Sequence, residues 1–168
     1  MAALLKRSGK LFMDETTAPV LDPGRGRTKT GYLWAMLRDD RPWGGDDPPG
    51  VVFAYAPGRG GAHAERMLEG FEGILQVDGY TGYNRLADDR REDGQPLRLA
   101  YCWAHARREI IKATPKAGSP IAEEALTRIA ALYGIEKDIR GQAPERRRAV
   151  RQEQSVPLLD ELEAWLRV

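Results

Sequence analysis

Short apolar runs alternate with clusters of Gly, Pro and Asp up to about residue 104, and from His105 onward the chain reads as charged helices broken at a few prolines. Leu11-Phe12-Met13, entering Asp14, predicts a first strand, and the aromatic-rich run Thr30–Leu37 a second. Val51–Ala56 predicts a third, with Asp46-Asp47-Pro48-Pro49-Gly50 before it as an exposed hairpin loop. Ala64, Met67, Leu68 and Phe71 recur at helical spacing and predict a helix over Ala62–Phe71, with Gly70 and Gly73 at its end. Ile74–Val77 reads as a fourth strand running into Asp78-Gly79. Gly82–Asp88 suits a short helix, Arg90–Pro96 a polar loop and Leu97–Trp103 a fifth strand. The expected order is β-β-β-α-β-α-β. Beyond it, Ile121, Ala125, Ile129, Leu132, Ile135 and Ile139 trace one face of a long helix ending near Gly141. Pro144 suits the first turn of another, and Pro157 starts or kinks a third whose apolar face carries Leu158, Leu162, Trp165 and Leu166.

Composition narrows the classes of function. Twenty-six Lys and Arg against twenty-five Asp and Glu in 168 residues exclude a polybasic tail protein, so any nucleic-acid contact must come from local clusters. One cysteine, Cys102, excludes a disulfide within the chain and a multi-cysteine zinc site. The N-terminal Met1–Arg7 turns charged after a handful of apolar residues, and no stretch approaches the roughly 18 apolar residues of a membrane span. The expectation is a soluble, cytoplasmic protein with no membrane partner.

Two aspartates at strand ends draw the chemistry. Asp14 closes the first predicted strand and Asp78 the fourth, and in a mixed sheet with those strands adjacent the two carboxylates meet at one edge. Carboxylate oxygens suit Mg²⁺ or Mn²⁺, and a two-metal site activates a water or a 3′-hydroxyl while stabilising the leaving oxygen of a phosphodiester. The competing reading makes Asp78-Gly79 an ordinary turn and Asp14-Glu15-Thr16 a solvated strand end. Cys102-Trp103-Ala104-His105 offers only two zinc ligands where a structural site needs four, so a buried thiol and aromatic ending a strand, with His105 opening a helix, is the simpler reading. His63 reads as a solvated residue near a helix start. Basic residues group as Arg25, Arg27 and Lys29 in the loop before the second strand, as Arg107 and Arg108, and as Arg146, Arg147, Arg148 and Arg151. Such clusters contact phosphates without reading sequence, although the last equally suits a solvated helix face.

Asp14-Glu15-Thr16, Lys29–Trp34, Gln76–Tyr80 with Gly82-Tyr83, and Cys102–Arg108 resemble successive motifs of the insertion sequence 66 family of bacterial transposases. Ile135-Glu136, Arg151-Gln152-Glu153 and Pro157-Leu158-Leu159 continue the likeness over nearly the whole chain. The resemblance implies an α/β, ribonuclease-H-like mixed sheet with an α-helical insertion after the fifth strand: residues 1–104 the core, 105–168 the insertion. It implies DDE-type cutting and joining of DNA with two Mg²⁺ or Mn²⁺ ions, Asp14 and Asp78 being the first two catalytic, metal-binding acids. Arg107 and Arg108 are then DNA-binding residues close to the metal edge. Its partners are element ends and target DNA, with a homo-oligomer or other transposition proteins as further partners. The third acid belongs to an Asn-Asn and Glu-Arg context that this sequence does not contain before Val168. Glu109, on the helix after the fifth strand, is where a simpler fold of this kind places a last carboxylate. Three readings therefore stand side by side: a transposase fragment, a catalytically inactive remnant that binds DNA or partner subunits, and an unrelated metal-dependent nuclease using Glu109.

Overall fold

A computed structural model describes residues 1–87 and 95–167. The chain forms two compact units, one of residues 1–41 and 45–102, the other of residues 42–44 and 103–168.

The first unit is a five-stranded mixed sheet. Its strands are β1 (Lys10–Asp22), β2 (Arg27–Arg38), β3 (Gly50–Ala56), β4 (Ile74–Val77) and β5 (Arg98–Tyr101), in the spatial order β3-β2-β1-β4-β5. The β1-β2-β3 meander is antiparallel, whereas β4 joins β1, and β5 joins β4, in parallel. Helix α2 (Gly61–Met67) makes the crossover before β4, and a 3-10 turn over Thr81–Ala87 lies between β4 and β5. The expected element order therefore holds, with a short N-terminal helix α1 (Ala2–Leu5) added. Asp88 and residues 90–94 of the expected helix and loop lie outside the described residues.

Alternation along the strands decides which sheet face is covered. Leu11 and Met13 of β1, Trp34 and Met36 of β2, and Leu75 and Val77 of β4 are buried with Ala64, Leu68, Phe71, Tyr83 and Leu86. Trp34 meets the Tyr83 ring edge-on, centroids 6.1 Å apart. The other face leaves Leu33, Leu37, Val51, Phe53 and Tyr55 exposed. One buried charge holds the far end of β2. Arg38, 1 % exposed, donates from Nη1 to Asp47 Oδ2 at 2.8 Å and to the Leu4 carbonyl at 3.0 Å, and from Nη2 to the Pro48 carbonyl at 2.9 Å. Its Nε lies 3.9 Å from Asp40 Oδ2, whose partner oxygen accepts from Ser8 at 2.6 Å.

Strand β1 does not end at Asp14 but continues for eight further residues to Asp22, because β2 still pairs with it after β4 has stopped. Arg27 and Lys29 consequently lie in β2, and Arg25 in the turn that reverses the chain, where Gly24 and Gly26 take positive φ. Trp103 is not in the fifth strand; it opens helix α3 (Trp103–Ala113).

The second unit contains α3, α4 (Pro120–Asp138), α5 (Pro144–Val150) and α6 (Val156–Leu166). Ser119 caps α4 by accepting from the Ala122 N–H at 3.4 Å, with Pro120 in the first turn. Ala125, Ile129, Leu132 and Ile139 are buried as the periodicity required, whereas Ile121 is 73 % exposed at the start of the helix. Helices α5 and α6 join through a π turn over Arg151–Ser155. Pro157 accounts for the wider turn: it has no N–H for the carbonyl four residues back, and its ring displaces that carbonyl.

Arg151 ties this turn to α4 through two bonds to Glu136, Nε to Oε1 at 2.5 Å and Nη2 to Oε2 at 2.7 Å. The Arg151 hydrogen bond holds the Glu136 carboxyl below its ordinary value of 4.5. A lowered folded value makes the pair stabilising above about pH 4.5 and lost as pH falls through that lowered value. Both side chains are about two-fifths exposed, so Glu136→Gln is expected to cost about 0.5–1 kcal/mol at pH 7. Thermal melts from pH 7 to pH 3 check this: the difference from wild type should shrink toward the acid end.

Candidate active site

The sheet register builds the site. Lys10, Leu11 and Phe12 of β1 face Ile74, Leu75 and Gln76 of β4 in parallel, and the same register carried two residues on sets Asp14 beside Asp78. Both lie on the alternation of Phe12 and Gln76, opposite to buried Met13 and Val77. Asp14 is exposed and Asp78 half-buried.

Each carboxylate has one oxygen engaged by backbone. Asp78 Oδ1 accepts the N–H groups of Gly79 at 2.7 Å and Tyr80 at 2.8 Å, and Asp14 Oδ1 accepts the Glu15 N–H at 2.9 Å. The turn reading of Asp78-Gly79 and the metal reading are therefore compatible, since the turn spends Oδ1 and fixes the direction of Oδ2. Gly79 suits the position because its φ of 139° lies where side chains are rarely accommodated.

A cation-bearing network that no local sequence pattern announces surrounds this edge. Glu15, the neighbour of Asp14, points to the covered face, with a side chain only 1 % exposed. It accepts from Arg59 Nε at 2.5 Å and from the Tyr83 hydroxyl at 2.5 Å, so each of its oxygens has a partner. Arg59 lies in the loop after β3; its guanidinium stacks 3.9 Å from the Tyr80 ring centre, and its Nη2 is 3.8 Å from Asp78 Oδ2. Tyr80 returns a bond from its hydroxyl to the Arg59 carbonyl at 2.9 Å. The Glu15 bond raises Arg59 above its ordinary value. Burial, followed by the bond to Glu15, pushes the Tyr83 phenol far above its own, so it remains a donor at any working pH.

The donor set suits a hard divalent cation, two carboxylates offering oxygen from adjacent strands. Among the described residues no group of three or more His, Cys, Asp or Glu is placed to hold a metal ion. Two carboxylates fall short of a full coordination shell, and Glu15 is already committed to Arg59 and Tyr83.

The remaining candidates fall elsewhere. Arg107 and Arg108 are exposed on α3 in the second unit, where they line a groove with Ala104, Ile111, Lys112 and Tyr133. Glu109, on the same helix, pairs with Lys112 at 2.7 Å, which lowers its carboxyl below the ordinary value. Cys102 is half-buried just after β5 rather than fully buried, and Trp103 is 41 % exposed. His63 is half-buried in α2 rather than solvated, tilted against Trp34 at 6.4 Å and within 3.0 Å of Arg66. Of the last basic cluster, Arg147 donates to the Pro42 carbonyl at 2.9 Å and Arg151 is taken by Glu136.

Fold and edge together define a mixed α/β protein with one carboxylate on β1 and another directly after the neighbouring parallel strand β4. Residues 1–168 match the model of the transposase IS66 family, and the chain belongs to that family. It is 46 % identical over 167 residues to the uncharacterized protein y4jD of Sinorhizobium fredii (strain NBRC 101917 / NGR234), an alignment covering 99 % of this chain and 33 % of the relative. It is 41 % identical to the uncharacterized protein y4qI of the same organism, over 96 % of this chain and 30 % of that one. The chain thus spans about a third of the length of these curated relatives. No helix among the described residues is long and apolar enough to cross a membrane.

Proposed function

We propose that this chain is part of the catalytic region of a cytoplasmic DNA transposase. Its sheet is the ribonuclease-H-like core, and residues 105–168 are a helical insertion into it. The observation that carries the reading is the register that brings Asp14 alongside Asp78 in a chain of this family. Asp14 and Asp78 would hold Mg²⁺ or Mn²⁺, which would supply Lewis-acid polarisation of the phosphate and activation of the attacking hydroxyl. The chain's own residues position that chemistry: the turn amides orient Asp78, and Arg59, anchored by Glu15 and stacked on Tyr80, keeps a positive charge beside it. Homo-oligomers or further transposition proteins complete the machinery, and the third carboxylate comes from outside residues 1–168. The Lys112 pairing of Glu109 weighs against that residue in the role. Residues 1–168 alone are accordingly expected to show little or no strand transfer. A cleavage and joining assay with Mn²⁺ on DNA carrying the element ends tests this, and joining at a rate comparable to a longer chain carrying the acidic motif overturns it.

Arg107 and Arg108 contact DNA phosphates in this reading. Changing both to Ala is expected to weaken binding to all sequences alike and to flatten the log–log salt dependence by about 2, since each phosphate contact on B-DNA contributes about 0.9. Fluorescence anisotropy at a series of salt concentrations measures the slope. An unchanged slope assigns the pair a structural role.

A further inference from the structure

Strands β1 and β2 outrun the sheet. The pairing of β4 with β1 stops at Phe12, and that of β3 with β2 stops at Tyr32, which faces Thr17. From Thr17 to Asp22, and back from Arg27 to Gly31, the two strands pair only with each other, and the Tyr55 side chain lies over Gly31 at the base. They form a two-stranded arm about 20 Å long at about 3.4 Å per residue. No core residue lies in it: every residue from Pro23 to Thr30 is exposed, and so is Leu21. Beyond the Tyr55 contact at its base, such an arm costs backbone entropy and adds no residue to the core.

Its chemistry is one-sided. Pairing sets Lys29 opposite Val20 and Arg27 opposite Asp22, and period-two alternation puts 14, 16, 18, 20 and 22 on one face of β1. Arg27 and Lys29 therefore share the face of the ribbon on which Asp14 stands, with Ala18 and Gly31 between and the Tyr55 ring lying over Gly31. Ribbon twist coils that face around the arm without breaking it. Arg25 stands at the tip, only loosely held by Asp22 at 3.7 Å, and among the described residues neither Arg27 nor Lys29 has an ion-pair partner. Residues 17–31 carry three cations and one anion, whereas the metal edge carries Asp14, Glu15 and Asp78 against Arg59. A polyanion is thus favoured along the arm and needs metal ions at its base. A two-stranded ribbon also fits a DNA groove, the major groove being about 12 Å wide.

We propose that the β1–β2 arm is a DNA clamp, in which Arg25, Arg27 and Lys29 take backbone phosphates of the duplex whose reacting strand lies at Asp14 and Asp78. The inference rests on the DNA reading above. Lys29 and Arg27 sit six and eight residues beyond Asp14 along the ribbon, about 20–27 Å. At about 3.4 Å per base pair this places the arm's contacts about six to eight base pairs from the reacting phosphate.

Two variants test it: Arg25→Gln/Arg27→Gln/Lys29→Gln, and a shortened arm in which Asn-Gly replaces residues 19–30 as a two-residue hairpin turn. Binding to duplex DNA is measured across salt with Ca²⁺ present, alongside hydroxyl-radical footprints and Mn²⁺ affinity. Both variants should lose about 2–3 from the salt slope, at about 0.9 per phosphate, and lose protection six to eight base pairs from the reacting phosphate. Their Mn²⁺ affinity should stay within twofold of wild type. Wild-type binding with unchanged slope and footprint in the triple Gln variant overturns the clamp alone. No DNA binding by the wild type overturns the DNA reading and the clamp with it. Should the shortened arm fail to fold, the triple Gln variant, which touches no core residue, decides the matter.

Discussion

Asp78→Asn is expected to lower Mn²⁺ affinity at least tenfold, and Asp14→Asn to do the same. An Asn keeps the shape of the side chain, and its carbonyl oxygen still accepts the Gly79 and Tyr80 N–H groups, so the turn after β4 survives. What disappears is the negative charge on the oxygen facing outward, the property that a hard cation selects. A tenfold change corresponds to about 1.4 kcal/mol, a modest demand on a carboxylate that coordinates directly. Electron paramagnetic resonance of free Mn²⁺ during titration measures it, with circular dichroism to show that the variants fold. Unchanged affinity in both variants would place the ion elsewhere and remove the chemical basis of the proposed function.

The second large effect concerns stability. Arg38→Ala is expected to cost about 3–5 kcal/mol, because it removes one partner of a buried charged network, leaving the Leu4 and Pro48 carbonyls without their donor and the buried Asp40 carboxylate without its nearby positive charge. That is a large share of the roughly 5–15 kcal/mol that holds a domain of this size together. Urea titration should show the midpoint falling with little change in slope. Arg38→Lys should lose less, as it restores the charge but not a fork that reaches Asp47, Leu4 and Pro48 together. A loss below 1 kcal/mol for Arg38→Ala would mean that the end of β2 is held by apolar packing alone.

Neither Arg38 nor Arg59 is legible in the sequence, and the reason is physical. Both act across the fold: Arg38 reaches Leu4, and Arg59 binds Glu15 forty-four positions away, so no local spacing announces either pair. Strand β4 is legible because its apolar run is bounded by Gly73 and Asp78. The register that aligns it with β1 is a long-range pairing that no local spacing fixes. The outer part of β1 is not legible either. Thr17-Ala18-Pro19 lacks apolar alternation, since past the Tyr55 ring at its base the arm packs on no further layer and nothing selects a hydrophobic side. Trp103 reads as strand because aromatics favour strands, but the backbone turns after Tyr101 into α3 and local propensity yields to that turn. Ile121 breaks the helical pattern for a related reason: it lies in the first turn of α4, ahead of the buried stretch Ala125–Leu132.

The central claim is that Asp14 and Asp78 form a divalent-metal edge on adjacent parallel strands. The most direct measurement is an anomalous difference map from crystals of this chain soaked in Mn²⁺. The account predicts a peak within coordination distance, about 2.0–2.6 Å, of outward oxygens of both carboxylates. A map with Mn²⁺ bound only at other acidic residues, and none between Asp14 and Asp78, would contradict it.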